Sequence, residues 1–110
     1  MLLPNADRAV VDIVKVRDYC LSATHPRGRH KARIFSAVLG MTAADAAELR
    51  EAILEAVLRV DAMETDSDEF GRRFVADFTL SHRGRTAEIR TAWIERRREG
   101  FPRLTSCYVL

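Results

Sequence analysis

The sequence predicts an α+β domain, with two or three N-terminal helices packed on a three- to four-stranded antiparallel sheet, as a single domain over residues 1–110. Three observations lead there. Apolar residues recur at helical spacing between Val16 and Val60. From Phe70 onward they alternate every second residue, the period of a strand with one buried face. Ser81-His82-Arg83-Gly84 separates two alternating runs and reads as a hairpin turn. Helices followed by strands pack together on one sheet face. The second face of such a sheet is free to hold a site.

In chain order, Ala9-Val10-Val11 is a short strand candidate. Asp12 is placed to cap a helix reaching about Leu21, with Val16, Tyr19 and Cys20 inward. A second helix starts near His30. In it Ala32, Phe35 and Leu39 fall at i, i+3 and i+7, and Gly40 supplies the stop. Thr42 with Asp45 is a capping box for a third helix, whose apolar stripe is Leu49, Ile53, Ala56, Val57 and Val60. Residues 61–69 read as an acidic loop. In the first strand Phe74, Ala76, Phe78 and Leu80 share one face, and Arg73, Val75, Asp77 and Thr79 the other. The second strand, 85–95, places Ile89, Thr91 and Trp93 on one face and Glu88, Arg90 and Ile94 on the other. A charged loop, 96–102, leads to a last strand, 104–109. Leu49, Ile53, Val57, Phe74 and Phe78 are expected in one core.

Composition narrows the class. The chain is 47% hydrophobic and 31% charged, as expected for a soluble cytoplasmic domain. No apolar run is long enough to span a bilayer, and the N-terminus lacks the features of a signal peptide. Cys20 and Cys107 are far apart and read as small buried hydrophobes. No group of residues has metal-ligand spacing, so no required metal and no cofactor are expected. Net charge is only +2, but acids crowd the middle of the chain and arginines the last third. That order predicts a polyanion-facing surface and a separate acidic one. Of the 18 cationic residues only Lys15 and Lys31 are lysine.

The densest chemistry is in His25-Pro26-Arg27-Gly28-Arg29-His30-Lys31-Ala32-Arg33, which runs into an apolar helix. A Pro-x-Gly turn at a helix start aims backbone N–H groups at one point. His25, His30, Lys31 and Arg33 make that point a candidate phosphate site. Imidazole titrates where proton transfer near neutrality needs it.

Leu3-Pro4-Asn5, His25-Pro26-x-Gly28-x-x-Lys31-Ala32-x-x-Phe35 and Leu39-Gly40 resemble the pattern of an uncharacterised bacterial domain family. So do Gly71, Asp77, Arg90-Thr91-x-Trp93, Pro102-x-Leu104-Thr105 and Tyr108. The resemblance covers nearly the whole chain. Members of that family occur free-standing, often beside another small protein, and at the C-termini of polymorphic toxins and phage head proteins. That setting implies a toxin-like effector, most often a nuclease. A small cognate antitoxin or immunity protein would be its partner. The order of elements also resembles the small metal-independent ribonucleases, including barnase, the colicin tRNases and the RelE toxins. The chain has Phe74 and Val75 where relatives often carry Tyr and Thr, so a hydroxyl role there is absent.

For such a ribonuclease the expected catalytic residues are His25, His30, Lys31, Arg90 and Thr91. The expected RNA-binding residues are Arg33, Arg73, Trp93, Thr105 and Tyr108, with Trp93 stacking on a base. Plainer roles stand beside these. Trp93 in a strand is more often core, Thr91 and Thr105 can pair across strands, and Asp77 can bind Arg73 or Arg90. His82, in the hairpin turn, is expected to be exposed and idle. The competing functions are a non-catalytic protein-interaction module and a nucleic-acid binder without chemistry.

Overall fold

In a computed structural model describing residues 1–110, side-chain caps open the first helix and the turn that leads into the third. The Asp12 carboxylate accepts the Val14 N–H at 2.9 Å and opens α1 (Ile13–Lys15). The helix then widens into a π turn, Val16–Cys20, closed by Leu21 N–H donating to Val16 C=O at 2.9 Å. α2 (Arg29–Leu39) buries Ala32, Phe35 and Leu39. It ends at Gly40, whose φ of 70° is the left-handed conformation that lets its N–H turn back to the carbonyls of Phe35 and Ser36. The Thr42–Asp45 capping box forms as predicted, opening a 3-10 turn, Ala43–Asp45, that runs into α3 (Ala46–Ala56).

β1 (Ala62–Asp68), β2 (Gly71–His82), β3 (Arg85–Arg96) and β4 (Pro102–Val109) form an antiparallel sheet in the order β1-β2-β3-β4. Register pairs Phe74 with Trp93, Ala76 with Thr91, and Thr91 with Cys107. These inward residues meet Phe35, Leu39, Met41, Leu49, Ile53 and Val57 in one buried cluster. All five expected core residues are in it. The helices therefore cover one face, and Arg73, Val75, Asp77, Arg90 and Tyr108 stand on the other side of the strands. None of the helices is long and apolar enough to cross a membrane.

Four expectations need correction. Residues 61–69 are not a loop, because Ala62–Asp68 is an edge strand. Only Ala62 in it is buried, so the apolar alternation that marks a strand is missing. An edge rich in Glu64, Asp66 and Asp68 resists pairing with another chain. Folding also undoes the charge segregation along the chain. Arg72 pairs with Glu64 at 2.9 Å and Arg73 with Asp68 at 2.5 Å, so acidic β1 neutralises part of basic β2. His82 is buried, at 4% exposure, and its ring meets Glu48 of α3. The predicted strand at 9–11 is reduced to one parallel bridge from Val10 to Arg103 of β4.

Candidate functional site

The His25–Gly28 turn is built by His25 itself. Its Nδ1 accepts the N–H groups of both Arg27 and Gly28 at 3.0 Å. The ring stands edge-on to Tyr19, with centroids 4.8 Å apart and planes at 89°. Gly28 lies against the π turn. A Cβ there would sit 2.2 Å from the Tyr19 carbonyl oxygen, so only glycine fits. Two backbone donors on Nδ1 place the neutral ring's proton on Nε2. His25 therefore has no free lone pair with which to act as a base, and its evident task is to close the turn.

That turn orients α2. Lys31, in its first turn, places Nζ 4.3 Å from the Tyr108 ring centroid. This is cation–π range. Tyr108 of β4 is the cross-strand neighbour of Arg90 on β3. Asp77 of β2 takes Arg90 Nε and Nη2 at 2.9 Å each. The bidentate carboxylate, and after it Tyr108, raise the pKa of Arg90, which is fixed as a cation. Three of its five N–H donors remain for another ligand.

Lys15 joins from the other side. Its Nζ lies 3.5 Å from the Thr105 carbonyl oxygen and 5.6 Å from the Tyr19 ring. The structure thus gathers Lys15, Tyr19, His25, Lys31, Arg90, Thr105 and Tyr108 about the β4 edge. Beneath them Cys20 and Cys107 are buried, and a shared hydrogen bond with Cys20 plus burial holds the Cys107 thiol above its usual pKa. Lys15 and Tyr19 were missed in the sequence. Lys15 being one of only two lysines was the available signal.

Other predicted residues fall elsewhere. Thr91 is fully buried. It donates to the Ala76 carbonyl at 2.6 Å and accepts from Trp93 Nε1 at 2.7 Å. Trp93 is 1% exposed and offers no face to a base, so both are corrected to core residues. Thr91→Val is expected to lower stability by about 1–3 kcal/mol, because two buried groups lose their partner. Chemical denaturation measures this, and any activity lost should track unfolding. Thr105 Oγ1 donates to the Ala92 carbonyl at 3.1 Å, leaving its hydroxyl committed to the strand. Arg73 is held by Asp68 and lies four residues along β2 from Asp77, about 13 Å away. It belongs to the β1–β2 ion pairs. His30 and Arg33 are exposed on α2 without hydrogen-bond partners, and Arg27, Arg29, Lys31 and Arg33 make no ion pair with any carboxylate.

The fold and site define a small α+β domain with a cationic, aromatic-backed sheet edge. Over residues 2–110 the chain matches a family described as a domain of unknown function, DUF6883, and it belongs to that family. No curated protein and no solved structure matches it.

Proposed function

We propose that the chain binds the phosphodiester backbone of RNA at the β4 edge and cleaves it without a metal, as a toxin-like ribonuclease. The observation that carries this reading is the meeting of Lys31, Tyr108 and Arg90, from three separate elements, at one open edge. Two further features of that edge favour an anion: the cations of residues 27–33 make no ion pair, and no acid interrupts them.

The chemistry can then be written in full. The 2′-oxygen attacks phosphorus, the bond to the 5′-oxygen breaks, and a 2′,3′-cyclic phosphate and a 5′-hydroxyl result. With Nδ1 of His25 occupied, His30 is the imidazole with a free nitrogen to take the 2′-OH proton. The Lys31 ammonium gives the proton to the leaving oxygen, and Arg90 stabilises the charge on the phosphorane. A small cognate protein that blocks this edge is the proposed partner.

A second reading, RNA binding without cleavage, is favoured by one observation, namely that the turn consumes His25. The test is purified protein against total RNA with and without EDTA. Cleavage unchanged by EDTA, yielding cyclic-phosphate ends, is expected. Binding without cleavage would establish the second reading, and neither binding nor cleavage would remove both.

A further inference from the structure

We infer that His82 and Asp45, with Glu48 orienting the ring, form a binding site for a divalent transition-metal ion of the zinc class. One donor atom from each lies within 4.8 Å of the others. Residues 45 and 48 are one turn apart at the start of α3, and His82 ends β2, so sequence spacing conceals the group. It shares no residue with the β4 edge.

The argument rests on the imidazole. The His82 side chain is 3% exposed, and its Nδ1 lies 2.5 Å from Glu48 Oε2. The carboxylate fixes the proton on Nδ1 and leaves a lone pair on Nε2. That Nε2 is buried with no hydrogen-bond partner and faces Asp45 Oδ2 at 4.0 Å. A buried imidazole nitrogen without a partner carries a desolvation cost. A metal ion would satisfy it. Glu48 holding Nδ1–H is the carboxylate–histidine arrangement that orients a metal-binding ring. Asp45 is oriented too, since its Oδ2 accepts the Thr42 N–H at 2.9 Å.

Geometry allows the ion at small cost. Donors about 2.1 Å from a tetrahedral ion stand about 3.4 Å apart, so Nε2 and Oδ2 need to close by about 0.6 Å. The Asp45 side chain is 17% exposed and that of Glu48 51%, so water can complete the shell. A ring nitrogen with carboxylate oxygen selects zinc, nickel or cobalt over magnesium or calcium.

The probe is zinc chloride, titrated into the full chain by calorimetry and thermal melting, beside Asp45→Asn. The asparagine oxygen can still accept the Thr42 N–H, so the helix cap and the metal-free melting temperature should be nearly kept. Wild type should bind one zinc with a rise in Tm, and Asp45→Asn should bind at least about 10-fold more weakly. In ¹⁵N spectra the His82 Nε2 signal should move on adding zinc, while Nδ1 stays protonated. Absence of zinc binding by wild type, equal affinity in Asp45→Asn, or an unmoved Nε2 signal would each overturn the site.

Discussion

Lys31→Ala is expected to lower RNA cleavage by about 10²-fold or more while leaving the protein folded. The scale is that of removing one charged donor aimed at a developing oxyanion. Lys31 is exposed on α2, with its ammonium over the Tyr108 ring. Losing a cation–π contact at an exposed site costs about 0.5–1 kcal/mol. For a domain of this size that is a fall of a few degrees in Tm. The measurement is an initial rate on RNA beside a melting curve. Equal rates for wild type and Lys31→Ala would remove the β4 edge as a catalytic site. Lys31→Arg separates charge from chemistry. The guanidinium retains binding but cannot deliver the proton, so binding should survive and the rate should still fall.

Phe35→Ala should behave in the opposite way. Phe35 is fully buried between α2 and the sheet, in the cluster holding Trp93 and Phe74. Truncating a buried phenylalanine costs about 3–5 kcal/mol. That is a large part of the roughly 5–15 kcal/mol of total stability usual for a domain. Tm should fall by more than about 10 °C. Whatever fraction remains folded should keep full specific activity, since Phe35 is fully buried and offers no group to a ligand. A folded Phe35→Ala protein with no activity would show that the site depends on α2 packing as well as on Lys31.

The sequence and the structure agree where a local rule decides. The Thr42–Asp45 box, the stop at Gly40 and the inward set Phe74, Ala76, Phe78 and Leu80 follow from capping chemistry, backbone freedom and strand period. They disagree where a distant partner decides. β1 is a strand because β2 offers it a ladder and arginines for its acids, neither of which its own residues reveal. His82 ends β2 beside a tight turn, which predicts exposure, but α3 packs over it. At the candidate site, Lys31, Arg90 and Tyr108 were expected as site residues, but their convergence from three elements has no signal in sequence spacing. Trp93 and Thr91 were not separable from them, because each satisfies the other's polar group inside the core.

The tight fit at Gly28 has a wider consequence. The Tyr19 carbonyl and the first residue before α2 touch like two parts of a fixed ruler, and Tyr19 also lies beside Lys15 and His25. Adding a single methyl group at Gly28 would push α2 away from the π turn. It would carry Lys31 off the Tyr108 ring without changing any group proposed to meet RNA. The spacing between the chain's two lysines is thus calibrated by a residue that has no side chain. Changes in affinity at the β4 edge can therefore arise from substitutions that a map of ligand contacts would pass over.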